Sequence, residues 1–193
     1  MVAGSNLIPN PSFDYGFADW LAGNGQELSE DNFEIIDEGG ADGGAYLKAK
    51  GSAGSGSASS VKKGWAVEVG KTYLFSMWAL RSASAMSSNT QYSRIYASDT
   101  ESATTTQIGS VNFKADTWTQ TQLVFTAEKP YLVVNLGWMN SSAVDAFYLG
   151  ILEASDELAT AILEQAIADA KEQLTTTEEG TERGQYPTEV RAA

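Results

Sequence analysis

Five side chains on three stretches of this sequence could do recognition chemistry together. In Gln91-Tyr-Ser-Arg-Ile-Tyr-Ala97 strict alternation puts Tyr92, Arg94 and Tyr96 on one face, and Ser93, Ile95 and Ala97 on the other. In Thr72-Tyr-Leu-Phe-Ser-Met-Trp-Ala-Leu80 the residues Tyr73, Phe75, Met77 and Ala79 form an apolar face, which leaves Trp78 beside Ser76 on the opposite one. In Tyr131-Leu-Val-Val-Asn-Leu-Gly-Trp138, Asn135 lies opposite Leu132, Val134 and Leu136. Aromatic rings offer flat apolar faces, while a guanidinium and an amide offer hydrogen bonds to hydroxyls. A ring with an apolar C–H face and a rim of hydroxyls is the ligand that such a set would hold. Trp78, Tyr92, Arg94, Tyr96 and Asn135 are therefore the candidate binding residues, expected to form one platform. Tyrosine also occurs on solvated strand faces for its β propensity alone, so this reading stands beside a purely structural one.

Catalysis has less to work with. The chain contains no histidine and no cysteine, which removes the commonest general base, the thiol nucleophile and most transition-metal chemistry. No Gly-x-Ser-x-Gly occurs, and a Ser-His triad is impossible. What remains is a pair of carboxylates of the kind that cleaves glycosidic bonds. Asp14, Asp19, Glu34, Asp37, Glu68, Asp99 and Asp145 are available, but no spacing singles out a pair, and no catalytic residue is assigned. Gly54-Ser-Gly56 invites a phosphate-loop reading, yet no helix pattern and no Gly-Lys-Ser/Thr follows it.

Those faces need strands to carry them. The 193 residues give enough chain for one full domain and an appendage. Short alternating runs recur from Phe33-Glu-Ile-Ile-Asp37 through Ala45–Lys50, Trp65–Val69, Tyr73–Leu80, Gln91–Ala97, Ile108–Phe113, Thr119–Phe125 and Tyr131–Trp138 to Phe147–Leu152. Asn6–Phe13 reads as a short opening strand that Pro9 and Pro11 confine to an edge. Trp20, Trp118 and Trp138 are expected in the core or at its edges, and Trp65 shares parity with Val67 and Val69. The spacing predicts an all-β body spanning 1–154, a β-sandwich or jelly roll. Gly51–Ser60 is almost entirely Gly, Ala and Ser, as expected of a loop.

The pattern then changes. Leu158, Ile162, Leu163, Ala166, Ile167, Ala170 and Leu174 form a stripe at helical spacing after a cap at Ser155 or Asp156. Pro187 stands at the first position of a second helical pattern. Residues 155–193 are thus expected to be a helical tail that either packs against the sandwich or, the favoured reading, starts a further helical domain.

Charge narrows the partners. The net charge of -13 argues against nucleic acid and anionic membranes; ten acids against three bases from Glu153 onward supply much of it. No apolar run is long enough for a transmembrane helix, and Met1-Val-Ala-Gly-Ser has no signal-peptide pattern; any export signal is expected upstream.

Several of these stretches resemble a known family. Asn6-Leu-Ile-Pro-Asn-Pro-Ser-Phe-Asp14 with Asp19-Trp20, then Val69-Gly-Lys-Thr-Tyr-Leu-Phe-Ser-Met-Trp78, Trp118 with Phe125-Thr-Ala, and Phe147-Tyr-Leu are similar to bacterial β-sandwich carbohydrate-binding modules of families four, nine, sixteen and twenty-two. The resemblance covers roughly residues 5 to 154. It implies a galactose-binding-domain-like jelly roll that binds polysaccharide on a concave sheet, without catalysis, as part of a longer extracellular or cell-surface chain carrying a glycoside hydrolase. It also implies a structural calcium ion near the N-terminal loop, with Asp14 as a metal ligand. The second acid usual in the closing strand is replaced here by Gly150, for which Asp145 or Asp37 would have to compensate. The tail, with Gly-Thr-Glu-Arg-Gly-Gln-Tyr-Pro187, is similar to helical modules of multidomain polysaccharide-degrading proteins. The expectation is a monomeric, non-catalytic module for a plant β-glycan such as xylan. Its rivals are a structural or protein-interaction sandwich and a small glycan-active enzyme.

Overall fold

Nine strands account for the regular structure of the computed structural model, which describes residues 5–50, 60–83, 93–137, 139 and 141–152. They are β1 (Phe33–Ile36), β2 (Tyr46–Ala49), β3 (Val61–Ala66), β4 (Thr72–Arg81), β5 (Ser93–Ser98), β6 (Thr106–Ser110), β7 (Thr119–Thr126), β8 (Tyr131–Leu136) and β9 (Ser142–Ile151). The readings of the helical tail, of the Gly/Ser loop, of Tyr92 and of Trp138 lie outside the described residues.

Every strand pairing is antiparallel. A five-stranded sheet runs β1-β2-β9-β4-β7 and a four-stranded sheet runs β3-β8-β5-β6. Alternation decides what each buries. From the first sheet Phe33, Leu47, Ala49, Tyr73, Phe75, Met77, Ala79, Val144, Phe147 and Leu149 enter one core, and Val61, Trp65, Ile95, Leu132, Val134 and Leu136 meet them from the second. The sequence-expected core face of β4 is therefore correct residue for residue.

Two strands differ from their sequence reading. β3 starts at Val61 rather than Trp65 and ends at Ala66, so Val69 is 61 % exposed. Lys62 and Lys63 hide the first half of this strand from a hydrophobicity pattern, because long charged side chains tolerate a half-buried site. β9 begins at Ser142 rather than Phe147 and carries an irregularity. Ser76 pairs with Tyr148 but Trp78 with Asp145, so β9 spends one residue more than β4 over this interval. Ala146, with φ of 47°, marks the bulge.

Asn6–Phe13 is not a strand, but it runs beside β9 as the next best thing. Leu7 N donates to Leu149 O, and Phe147 N to Pro11 O. The two prolines cannot donate, and the Asn6 side chain makes up part of the ladder, donating to Phe147 O and accepting from Leu149 N.

Candidate functional site

The register settles which expected residues meet. Trp78 belongs to the five-stranded sheet, whereas Arg94, Tyr96 and Asn135 belong to the four-stranded one. All four are half-buried and point away from the core. The outward faces of two packed sheets look in opposite directions, so the single platform expected from the sequence does not exist. Period-two alternation gives the face of a strand; it does not say which sheet the strand joins.

On the four-stranded sheet, Lys62, Asn135, Arg94 and Ser110 form one lateral row. In the next row Tyr96 pairs with Val133, and Val133 with Gly64. That row is roofed: a side chain at Gly64 would strike the backbone of Glu101, and Val133 is fully buried although it faces outward. The β5–β6 connection thus covers part of this face.

The outer face of the five-stranded sheet is richer than the sequence suggested. Its rows follow from the pairings. Glu34, Lys48, Ala143 and Leu80 lie side by side. The next row holds Asp145, Trp78 and Gln120, with Tyr46 one step along from the Leu47–Val144 pair. Then come Tyr148, Ser76 and Gln122. The bulge at Ala146 brings Asp145 and Tyr148, three apart in sequence, to the same side while Val144, Phe147 and Leu149 all stay buried. Gln120 and Gln122 are exposed, and Gln122 Nε2 donates to Gln120 Oε1 at 3.2 Å.

Trp118, expected in the core or at its edges, is half-buried on this face. Its ring centroid is 5.4 Å from that of Tyr46 at an interplanar angle of 86°, although β9 and β4 separate the strands from which the two rings rise. The rings therefore reach towards each other across the end of the outer face. Trp118 Nε1 donates to Gly39 O at 3.1 Å, which ties the β1–β2 loop to the same place. Beside these residues an open cleft of about 380 Å³ is lined by Tyr46, Lys48, Leu80 and Ala143 together with Ser82 and Ser141. Small Ala143 between Lys48 and Leu80 makes its floor.

Asp145 is the one acid in the rows with no exposed surface. Oδ2 accepts from Ala41 N at 2.8 Å and Oδ1 from Ala146 N at 2.6 Å. The loop comes so close that a Cβ on Gly40 would lie 2.5 Å from Oδ2. Burial pushes the Asp145 carboxyl up to about 6, opposed by the Ala146 and Ala41 hydrogen bonds and helped by the charge of Asp42. Asp42 itself is exposed and accepts from Gly44 N. Both Asp145 oxygens thus serve the backbone, and the carboxylate pins the β1–β2 loop over the sheet.

That assignment carries a pH consequence. A carboxyl whose folded value exceeds its ordinary 3.8 takes up protons on folding, so its contribution to stability is full below about pH 4 and is lost as pH rises through about 6. Asp145→Asn cannot ionise. The melting-temperature advantage of wild type over this variant should therefore be largest near pH 4 and smallest near pH 7, a swing of at most about 3 kcal/mol. Circular-dichroism melts across that range check it; the opposite slope would mean that the two N–H donors outweigh burial.

Asp14, the expected metal ligand, is exposed, and no cluster of three or more acidic side chains able to hold an ion occurs among the described residues. Trp20 and Trp65 are core residues, with centroids 5.7 Å apart.

Comparison with known proteins adds the following. The family model described as "Carbohydrate binding domain" matches residues 5–141. No curated protein matches. Two solved structures align at a TM-score of 0.50. The enzymatically active domain of tailspike protein 4 of bacteriophage CBA120 is 11 % identical, with 76 % of this chain and 21 % of that one covered. The N-terminal CBM22-1–GH10 modules of Clostridium thermocellum endo-1,4-β-D-xylanase 10B, solved with xylohexaose, are 14 % identical, with 79 % and 29 % covered. The present chain thus spans less than a third of either. The CBM22-1 xylan-binding domain of Paenibacillus barcinonensis Xyn10C is 16 % identical at a TM-score of 0.49, with 79 % and 98 % covered. At these identities the likeness is one of fold.

Proposed function

The chain belongs to the carbohydrate-binding domain family, and from that premise we propose that it binds a neutral polysaccharide on the outer face of the β1-β2-β9-β4-β7 sheet. The observation that carries this reading is the gathering of Trp78, Tyr46, Tyr148 and Trp118 with Gln120 and Gln122 on one face beside an open cleft. Indole and phenol rings stack on the C–H faces of sugar residues, and the exposed glutamine amides bond their hydroxyls. The charges here are spoken for. Lys48 is paired with Glu34 at 3.0 Å, and Asp145 is buried against backbone N–H groups. Such a face suits an uncharged chain better than an acidic one.

An open cleft accepts an internal stretch of a chain, and plant β-glycans are the leading class. Xylan is the first to test, since a relative of the same fold was solved with xylohexaose. We read the domain as non-catalytic, a module that holds an attached catalytic domain near its substrate outside the cell. Both Asp145 oxygens are engaged by backbone N–H groups, a structural use of the carboxylate beside Trp78. Arg94, Tyr96 and Asn135, which face the other way, fall outside this site.

Affinity electrophoresis on a panel of neutral and acidic polysaccharides tests the reading. Retardation by xylan or another neutral β-glycan, with no reducing sugar released on incubation, is the expected result. Free migration on every glycan would remove the function, and release of reducing ends would replace it with an enzymatic one.

A further inference from the structure

The resemblance that pointed to sugar binding also implies a calcium ion beside Asp14, and the residues at that place do not fit one. Calcium needs about six to eight oxygen ligands. The carbonyls of Gly16 and Ala18 converge in the loop that follows Asp14, but both accept from one nitrogen, Asn10 Nδ2, each at 2.9 Å. The same side chain accepts from Tyr15 N through Oδ1 at 3.0 Å, and the Asn10 carbonyl accepts from Trp20 Nε1 at 3.0 Å. Asn10 is only 6 % exposed and has φ of 48°, a left-handed conformation that asparagine adopts more readily than most residues. The place of the second acid is Gly150, which has no side-chain oxygen to offer. A side chain at Gly150 would collide with the hydroxyl of Tyr148.

We propose that the Asn10 carboxamide takes the part of a cation in this loop, gathering the Gly16 and Ala18 carbonyls so that the domain folds independently of calcium. An amide NH2 carries partial positive charge on two hydrogens in fixed directions, so it can satisfy two carbonyls at once. A metal ion at the same point would meet these donors instead of oxygens. The loop so organised ends in Trp20, whose ring lies 4.6 Å from that of Phe147. Asn10 thereby connects an exposed turn to the core.

The test compares wild type, Asn10→Asp and Asn10→Ala by thermal melts and by hydrogen exchange of the 10–20 segment, each in millimolar CaCl2 and in EDTA. Aspartate keeps the size and the acceptor of asparagine but cannot donate at neutral pH. Wild type should melt within about 1 °C of the same temperature in both buffers, with unchanged protection of 10–20. In EDTA both variants should melt roughly 5 °C or more lower and exchange faster in that segment, because two carbonyls lose their donor. Calcium-dependent protection of 10–20 in wild type overturns the proposal, as does an Asn10→Asp protein that melts like wild type in EDTA. The wild-type comparison tests calcium independence even if neither variant folds.

Discussion

Replacing Trp78 with alanine is expected to weaken glycan binding by about thirtyfold or more while leaving the fold in place. A large aromatic at the centre of a contact face commonly costs about 2 kcal/mol or more when truncated. Trp78 sits between Asp145 on β9 and Gln120 on β7, with the Ser76 row on one side and the Leu80 row on the other. A sugar chain bound on these rows would meet its ring. The residue points away from the core and is half-exposed, so its removal opens no buried cavity, and the melting temperature should change by only a few degrees. Arg94→Ala and Asn135→Ala are the matched controls on the opposite sheet, and both should retain wild-type affinity. Isothermal titration with a xylo-oligosaccharide, or with whichever glycan retards the protein, measures all three. Loss of binding in Arg94→Ala with none in Trp78→Ala would move the site to the other face.

Phe147→Ala should be the most damaging single truncation in the body. The Phe147 ring lies 4.6 Å from that of Trp20, 6.1 Å from Phe13, and 6.5 Å from both Trp65 and Phe75. It is 1 % exposed, so it joins the two sheets to the N-terminal segment at one point. Its backbone also receives that segment, accepting from Asn6 Nδ2 and donating to Pro11 O. Truncation loses transfer energy and leaves a cavity among large rings that cannot all move inward, which costs about 3–5 kcal/mol. Against a typical total of about 5–15 kcal/mol, this should lower the melting temperature by roughly 10 °C. It should also weaken the near-ultraviolet signal of the packed tryptophans. A loss below about 1 kcal/mol would mean that the cluster does not pack as described.

The fate of individual residues shows what was legible beforehand. The core face of β4 could be read because Tyr73, Phe75, Met77 and Ala79 recur at every second position and Trp78 is out of phase with them. Asp145 and Tyr148 could not be placed, since a single extra residue at Ala146 breaks the alternation of β9. The trace it leaves is the spacing of Val144, Phe147 and Leu149, first three and then two, which is the mark of a bulge once looked for. Trp118, expected in the core or at its edges, lies half-buried on the outer face. Its parity with Gln120 and Gln122 gives that face, and its bond to Gly39, 79 positions away, is the part that no local pattern carries. Tyr96 and Trp78 were each given the correct face of their own strands. They were wrongly joined because strand order within a sheet depends on long-range pairing. The N-terminal motif was recognised as a family mark, yet the part played by Asn10 emerges only from its hydrogen bonds.

The tryptophan indoles report directly on which sheet carries the site. In an NMR titration with xylohexaose, or with another oligosaccharide found to bind, the indole N–H signals of Trp78 and Trp118 should shift with the side-chain amides of Gln120 and Gln122. The indoles of Trp20 and Trp65, buried at 2 % and 6 % exposure, should stay where they are. Shifts confined to the Asn135 side-chain amide and the Arg94 guanidinium, with Trp78 and Trp118 unmoved, would contradict the account.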